Sequence, residues 1–249
     1  MTESQQFIET LTQEYIENHI RKQERDELIA ENNIEKRDIK GYHGRELLEL
    51  LQNADDAYQK SINLGKKPEC DLIVEIKYIN NVLTVANTGT FFDKDGMKAI
   101  VQGNNSPKKG KYIGNKGTGF RSILNWAHDV KIYSGDFAVE FSKEIATEFL
   151  NQIKHEPQIE KQIKKDSNLY IPMLAVPKNI EHTLPKEYTT IQIKVNQGKQ
   201  NDDYSVEKQL NGIDLRILLF LPNVSKISIE TDSISILYER HIRKERQKK

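Results

Sequence analysis

The sequence predicts an α+β protein built on a mixed β-sheet, because helical and strand patterns alternate irregularly and several neighbouring strands read as hairpins. The clearest hairpin joins residues 71–78, where apolar and polar residues alternate, to residues 82–86. Asn80 and Asn81 between them favour the positive φ angles of a tight hairpin turn. A second hairpin is predicted over residues 130–141, with its turn at residues 134–136.

The other elements follow from apolar spacing and from residues that end helices. Phe7, Ile8, Leu11, Tyr15 and Ile16 recur at helical spacing, which predicts one helix over residues 3–30. Further helices are predicted over residues 45–60, 143–167 and 206–221, and from the glycine-rich stretch 114–119 through residue 126. Further strands are predicted over residues 189–195, 226–230 and 233–238.

These patterns divide the chain into three parts. Residues 1–36 form an N-terminal helical arm, whose charged second half predicts only partial burial. Residues 37–222 form the main domain. Residues 223–249 hold two additional strands and a charged tail, which indicates either the end of ordered structure or the start of a following domain. A chain of 249 residues is long enough for one sizeable core with such an appendage.

The composition argues against several kinds of partner. Lys+Arg and Asp+Glu are balanced at 37 each, so net charge does not draw the chain to nucleic acid or to an anionic membrane. The most apolar run, residues 217–221, is too short to span a bilayer, and the first residues are too polar for a signal peptide. The single cysteine, Cys70, allows no internal disulfide, and the scattered histidines do not support a metal site of histidine and cysteine. We therefore expect a cytoplasmic protein.

The helix predicted over residues 45–60 carries a polar stripe opposite its apolar one. Glu49, Asn53 and Asp56 lie at i, i+4 and i+7, so they share one helix face. A carboxylate can accept the proton of an attacking water, and an amide oxygen can bind Mg²⁺. The same stripe also fits an ordinary solvated helix face. The functional interpretation is favoured because Asn and paired Asp are poor helix formers, and because a glycine turn lies downstream.

That glycine turn is suited to phosphate. Gly114, Gly117 and Gly119 lack a Cβ atom, so backbone N–H groups can approach phosphate oxygens. The apolar pattern that begins at Phe120 predicts a helix whose N-terminus favours an anion. The preceding residues 102–113 include three lysines, which indicates either a basic lid beside a phosphate site or a plain surface loop.

With both motifs in order, the chain resembles the GHKL superfamily of ATPases, which includes DNA gyrase B, a heat-shock chaperone, sensor histidine kinases and MutL. The resemblance rests on ELLQNADDA at residues 49–57 and IGNKGTGF at residues 113–120, and it covers roughly residues 40–195. The nearest branch is the sacsin-type, chaperone-like ATP-binding domain, often found in large bacterial proteins of unknown or defence-related role. The resemblance implies a Bergerat fold, a two-layer sandwich of a mixed sheet with helices on one face and an ATP lid. Residues 37–222 would then be the ATP-binding domain.

The resemblance also implies roles for single residues. Glu49 corresponds to the general base, Asn53 to the Mg²⁺ ligand and Asp56 to a supporting polar residue. The family has a threonine on a late strand near the adenine, and Thr189 or Thr190 fits that place. The full set of implied ATP-binding positions is Asn53, Asp56, Asn87, Gly89, Met97, Lys108, Gly114, Gly117, Thr118, Gly119, Phe120, Thr189 and Thr190.

One motif departs from the family's pattern. The family reads adenine with an aspartate in a D-x-G-x-G string, and here Asn87 occupies the aspartate place and Phe91 the second glycine place. An asparagine carbonyl can still accept from the adenine amino group, and its amide can donate to a ring nitrogen. Asp93 is a weaker alternative for this role. Asn87 also fits a plain turn residue at the end of a strand.

The resemblance implies Mg²⁺-dependent hydrolysis of ATP, with lid closure and dimerisation through the N-terminal arm controlling an attached or partner domain. A role in bacterial defence is one process that fits. The alternative is a nucleotide-binding regulatory module with little hydrolysis, which the departure at Asn87 favours. A histidine kinase is a third interpretation, but His19 lacks a recognisable acceptor motif around it.

Overall fold

The computed structural model describes residues 1–21, 27–41, 43–66, 68–102, 119–199 and 203–241, which form an α+β protein. The helices are α1 (Glu3–Arg21), α2 (Glu27–Gly41), α3 (Glu46–Asn63), α4 (Lys94–Gln102), α5 (Lys143–Ile153), α6 (Pro157–Lys165), α7 (Val206–Asn211) and α8 (Ile217–Phe220). Short 3₁₀ helices cover Phe120–Asn125, Met173–Ala175 and Gln197–Lys199. Among the helices in these ranges, none combines the length and apolar character that crossing a bilayer requires.

The strands of these described ranges form one mixed sheet of eight strands. They are β1 (Leu72–Ile79), β2 (Val82–Asn87), β3 (Ala127–Ser134), β4 (Phe137–Ser142), β5 (Lys178–Asn179), β6 (Thr189–Val195), β7 (Val224–Thr231) and β8 (Ser235–Glu239). Their order is β5-β4-β3-β6-β2-β1-β7-β8, with β1 and β7 parallel and the other neighbouring pairs antiparallel. The predicted α+β class with a mixed sheet is therefore confirmed, and the late strand β6 lies beside β2 and β3.

The β1–β2 hairpin forms as predicted. Asn80 and Asn81 have φ angles of 52° and 63°, which asparagine tolerates better than most residues. Two successive residues of positive φ match the twist of the flanking strands, so Ile79 pairs directly with Val82.

Burial alternates along the central strands, so one face of the sheet is covered and the other is open. In β1, Val74 and Ile76 are buried, whereas Glu75 and Lys77 are more accessible. Residues of α1, α3 and α4 belong to the same apolar cluster as the buried side of β1, so these helices cover that face. On the open face, Lys77 pairs with Glu230 of β7 at 2.9 Å.

Three predicted long helices are each divided in two. α1 ends at Arg21 and α2 begins at Glu27, so the single helix predicted over residues 3–30 is wrong. Residues 143–167 contain α5 and α6, with Pro157 in the first turn of α6, where its missing N–H costs no helical hydrogen bond. Residues 206–221 contain α7 and α8, since α7 ends at Asn211, with Gly212 as its C-cap, and α8 begins at Ile217.

Two further segments differ from the prediction. Residues 94–102 form α4, which was not predicted; the exposed carboxylate of Asp93 accepts from the N–H of Gly96 at 2.7 Å and caps this helix. The segment after Gly119 is a 3₁₀ helix and not an α-helix, as the i→i+3 bond from Trp126 N–H to the Ile123 carbonyl shows.

The N-terminal arm packs against its own chain. Ile8 and Leu11 of α1 are buried in the main core, and Tyr15 is buried in a second apolar cluster with residues of α2, α5 and α6. On α2, the Asn32 amide exchanges two hydrogen bonds with the backbone of Tyr170, at 2.7 Å and 3.2 Å. The apolar side of the arm is thus buried more fully than its charge predicts.

Residues 224–239 extend the same sheet as the rest of the chain. β7 pairs with β1 from Leu72 to Tyr78, and Val224 and Ile227 are buried in the main core. The boundary that the sequence suggested at residue 223 falls directly before this strand. Asn223 itself binds α3, because the Asp55 carboxylate accepts from its N–H at 2.8 Å and from its amide at 3.0 Å.

A buried histidine joins α1 to α2. Nδ1 of His19 lies 2.8 Å from the Tyr15 carbonyl, and Nε2 lies 3.2 Å from the Glu31 carboxylate. Because both neighbours are acceptors, this arrangement favours the protonated imidazole. Burial alone would lower the pKa of His19, but the hydrogen bond and charge of Glu31, together with the Tyr15 carbonyl, outweigh burial and raise this pKa.

We expect this ion pair to stabilise the fold in a pH-dependent way. Since the pKa of His19 is higher in the folded chain, its contribution is full below the unfolded value of about 6.5 and is lost as pH rises through the raised pKa. Urea unfolding at several pH values should show this loss for wild type and not for His19→Gln. The exposed His155 provides the control His155→Gln, which should behave like wild type. An identical pH dependence in wild type and His19→Gln would contradict the assignment.

Candidate functional site

Helix α3 carries the polar stripe that the sequence predicted. Leu47 and Leu51 are buried in the main core, which fixes the side of α3 that faces the sheet. Glu49 and Asn53, on the other side of the helix, are half-buried, and Asp56 is exposed. The predicted base and magnesium ligand therefore lie at an accessible edge of the core.

Gly119 lies directly against Glu49. A Cβ atom at residue 119 would overlap Oε2 of Glu49. The φ angle of Gly119 is −61°, an ordinary helical value, so its glycine is needed for close approach and not for an unusual backbone. Phe120 follows and is buried in the main core, which anchors the turn. Gly119, the last glycine of the motif at residues 113–120, thus contacts Glu49, the first residue of the motif at residues 49–57.

The surroundings of Glu49 make its carboxylate more basic. Burial raises the pKa of Glu49 most; Arg45, whose Nη2 lies 3.5 Å from Oε1, lowers it; and the charge of Asp56 raises it again. The net result is a pKa above the usual value. Once ionised, such a carboxylate is a better proton acceptor than a solvated one.

Asn53 holds an amide nitrogen that finds no partner among the described residues. Its Nδ2 is buried and makes no hydrogen bond within the part of the chain that the structure describes. A buried polar atom without a partner is costly and is usually explained by strain, by function or by a missing ligand. This amide lies one helical turn from Glu49, so it is placed to contact the same ligand.

Asn87 and Thr189 lie opposite each other at the ends of β2 and β6. Both are buried, and a directly paired position shares one face of the sheet. Asn87 is on the helix-covered face, since it pairs with the buried Val74 of β1, so Thr189 is also on that face. Thr190 pairs with Ala86 and lies on the opposite face. The structure thus brings Thr189, and not Thr190, to the same side as Asn87.

A chain of hydroxyl groups fixes the backbone after β2. The Thr189 hydroxyl donates to the Thr90 carbonyl at 3.2 Å and lies 2.7 Å from Oγ of Ser134. Oγ of Ser134 in turn accepts from the N–H of Phe92 at 2.8 Å. The Asn87 amide donates to the neighbouring carbonyl of residue 88 at 2.9 Å. These bonds hold residues 87–92 against β3 and β6.

The same loop is docked on α3. Gly89 has a φ angle of +102°, and a Cβ there would lie 2.8 Å from the ring of Tyr58, so both the backbone and the close contact require glycine. The Thr90 hydroxyl also donates to the hydroxyl of Ser61 at 3.0 Å. α3 therefore contacts the glycine turn at Glu49 and the loop after β2 at Tyr58 and Ser61, about three turns further along.

The remaining predicted positions are distributed as follows. Met97 is buried on α4 within the main core, which gives it a packing role. Asp93, the weaker candidate for reading adenine, is exposed and caps α4. Four predicted positions lie outside the described residues, namely Lys108, Gly114, Gly117 and Thr118.

A buried carboxylate that the sequence analysis missed holds the start of α3. Glu46 is fully buried and accepts from Gly44 N–H at 2.9 Å, Asn125 Nδ2 at 2.8 Å and Gln209 Nε2 at 2.6 Å. His43 lies 3.2 Å away. These donors come from the turn before α3, the 3₁₀ helix and α7. Nothing in the sequence marks Glu46, because two of its partners lie far along the chain.

A buried arginine, also missed, follows the glycine turn. Nη2 of Arg121 donates to the carbonyls of Ile100 and Val101, at 3.1 Å and 3.4 Å, in the last turn of α4. Its Nη1 lies 3.7 Å from Oε1 of Glu35 on α2. One side chain thus ties the 3₁₀ helix beside Gly119 to α4 and to the N-terminal arm.

A separate group of titratable side chains lies on β3 and α5. Ligand atoms of His128, Asp129 and Glu144 lie within 4.8 Å of one another. The two ring nitrogens of His128 lie 2.8 Å from Asp129 and 3.5 Å from Glu144. Each ring nitrogen thus lies beside a carboxylate, so contacts within the trio account for this arrangement.

Comparison with known proteins adds no relative: no protein-family model matches this chain, and no curated protein matches it.

The contact between residues 119 and 49 predicts a thermodynamic coupling. Gly119→Ala should push the Glu49 carboxylate out of its present position, because the new Cβ would overlap it, and rotating the end of this side chain should cost about 0.5–1.5 kcal/mol. In a Glu49→Ala background this cost should disappear, which gives a coupling of at least about 0.5 kcal/mol. Urea unfolding of the four proteins of this cycle measures both values. Simple additivity of the two changes would show that residues 119 and 49 do not touch.

The donors around Glu46 predict a second effect on stability. Glu46→Gln should cost about 1–3 kcal/mol, because the new amide N–H₂ would face donors that have lost an acceptor. Glu75→Gln, on the open face of β1, is the matched control and should stay within about 0.5 kcal/mol of wild type. Equal unfolding midpoints for the two variants would contradict the anchoring role of Glu46.

Proposed function

We propose that this chain binds ATP with Mg²⁺ and hydrolyses it, as a GHKL-type ATPase module of Bergerat fold. The observation that carries the proposal is the contact of Gly119 with Glu49. It joins the end of the glycine-rich motif to the helix that bears a candidate base and a candidate magnesium ligand. Those groups are seventy residues apart in sequence (119 − 49), and phosphate transfer needs them at one place.

The architecture supports the same proposal. One face of the mixed sheet is covered by α1, α3 and α4, as a two-layer sandwich requires. Asn87 and Thr189 meet on that covered face at one end of the sheet. α3 links this end to the glycine turn, so a nucleotide could extend from Asn87 towards Gly119 along α3.

Glu49 is proposed as the general base. Its carboxylate is half-buried and its pKa is raised, chiefly by burial. In its ionised form this carboxylate can take the proton of a water that attacks the terminal phosphate. Arg45, 3.5 Å away, would hold the carboxylate's orientation before substrate binds.

The residues beside Glu49 fit a magnesium ion. Asn53 is proposed as its ligand through the amide oxygen, since this amide lies one turn from the base, and its buried Nδ2, which has no hydrogen bond in the described ranges, could donate to a phosphate oxygen. Asp56 adds an exposed carboxylate to the same face. When bound with ATP, the ion would neutralise charge on the phosphates.

Asn87 is proposed to read the adenine. Its amide nitrogen donates to the carbonyl of residue 88, which directs the amide group at the end of β2. The amide oxygen can then accept from the adenine amino group. Thr189 lies opposite and is held by Ser134, so it would add a fixed hydroxyl beside the base.

The proposal extends to assembly, in which lid closure and dimerisation through the arm control an attached or partner domain. The arm is connected to the site through Arg121, which contacts Glu35 of α2 and follows Phe120 directly. A displacement of Phe120 would therefore move Arg121 and change its contact with Glu35 on α2. Sedimentation with and without ATP would detect such dimerisation.

The decisive test is release of ADP from the purified chain with Mg²⁺ and ATP. Glu49→Ala should lower turnover by about 10²–10⁴-fold and leave ATP binding intact, because a base contributes to the chemical step. Glu75→Ala on the open face should keep wild-type turnover. Unchanged turnover in Glu49→Ala would remove Glu49 from the role of base. ATP binding without turnover in wild type would favour the regulatory nucleotide-binding module.

The rate should also depend on pH in a defined direction. Because the base must be ionised, hydrolysis should fall as pH drops through the raised pKa of Glu49, which lies above the usual 4.5. Arg45→Gln should move this inflection to higher pH, since Arg45 lowers the pKa of Glu49. A profile that Arg45→Gln leaves unchanged would show that another group titrates.

A further inference from the structure

A cavity of about 370 Å³ lies between the N-terminal arm and the body, apart from the site on α3. It is bounded by α2, the 3₁₀ helix, β3, α5 and residues 170–173. Its volume is within the range of roughly 300 to 1,000 Å³ that small-molecule sites occupy. Its walls are mostly apolar, with contributions from Ile39, Leu124, Ala127, Ala146, Leu150 and Met173.

Two polar side chains form one wall of this cavity. Glu35 is buried, and the hydroxyl of Tyr170 is hydrogen-bonded to its carboxylate. Arg121 lies 3.7 Å from Glu35 behind this wall. The carboxylate is thus compensated by a cation, but it can accept a further hydrogen bond, since each carboxylate has several lone pairs. This wall favours a ligand group that donates a hydrogen bond and carries no charge.

Basic side chains lie at the cavity and near it. Lys143 lines it from the first turn of α5 and is exposed, and Thr147 adds a hydroxyl one turn further along α5. Nζ of Lys36 lies 5.8 Å above the ring of Tyr170. Among the residues that line the cavity, Lys143 is the one cation and Glu35 the one carboxylate, and Glu35 already lies 3.7 Å from Arg121. An anionic group at the rim is therefore favoured, and a cationic ligand is opposed.

We propose that this cavity binds a small aromatic acid, with the ring among the apolar walls, the acid group near Lys143 and a donor group at Glu35 and Tyr170. Each part of the ligand matches one part of the cavity wall. The size and apolar lining of the cavity suit the ring, Lys143 suits the acid group, and the Glu35 carboxylate suits a hydroxyl or N–H donor. The proposal concerns a second site and does not depend on ATP hydrolysis.

Trp126 provides a reporter close to the cavity. It is the single tryptophan of the chain and is buried, and the cavity is lined by Ala127, next to it in sequence, and by Leu124, two residues before it. Titration with 3-(4-hydroxyphenyl)propionate should change its fluorescence saturably, with a dissociation constant below about 1 mM. Tyramine has the same phenol ring but carries an ammonium group on its side chain, and 3-(4-methoxyphenyl)propionate lacks the hydroxyl donor. Each should bind at least about tenfold more weakly than the acid.

Matched variants on α5 locate the ligand. Ala146→Leu fills the cavity and should weaken binding of the acid at least about tenfold, whereas Glu148→Leu introduces the same side chain at an exposed position of the same helix and should not. Lys143→Gln, an exposed change that leaves the core intact, should remove the preference for the acid over tyramine. The absence of saturable binding in wild type, equal binding by Ala146→Leu, or equal affinity for acid and amine would each overturn the proposal. ADP release is measured separately, so failure there would leave this result unaffected.

Discussion

The close packing of Gly119 on Glu49 is the constraint on which the candidate site depends. The missing side chain at residue 119 lets the 3₁₀ helix approach α3 until backbone touches carboxylate. The same contact excludes water from part of Glu49, and burial is the main reason for the raised pKa of this residue. The contact therefore contributes both to the geometry and to the basicity of the proposed base. A larger residue at 119 would change both together.

Helix α3 can serve this purpose because it is held along its whole length. At its start, Glu46 collects donors from the preceding turn, the 3₁₀ helix and α7. Further along, Asp55 binds Asn223 at the entrance to β7, and Tyr58 packs on Gly89 after β2. Each anchor is a buried or half-buried contact between segments distant in sequence. A rigid α3 keeps Glu49 and Asn53 in place while the opposite side of the helix packs in the core.

Buried charges connect the N-terminal arm to this site. α2 carries Glu31 and Glu35 at i and i+4; the first pairs with His19 of α1 and the second with Arg121 beside the glycine turn. Breaking a buried pair leaves an uncompensated charge, so these contacts fix the position of the arm more strictly than apolar packing alone. Glu35 is also the polar wall of the cavity behind the arm. An occupant that contacts Glu35 would therefore be linked to Gly119 and Phe120 through the side chains of Glu35 and Arg121.

Sequence patterns by themselves determined the local features: the β1–β2 hairpin from its alternation and two asparagines, the strand at residues 189–195, and the polar stripe of α3. These depend on neighbours within a few residues, where periodicity and turn propensity act. Only the tertiary structure decided that α1 and α2 pack on each other through Tyr15, His19 and Glu31, and that α7 ends at Asn211. It also decided that Thr189 and not Thr190 shares a face with Asn87, and that Glu46 and Arg121 are buried anchors. Those outcomes depend on strand register and on partners up to 163 residues away, as for Glu46 and Gln209, and no local pattern in the chain encodes them.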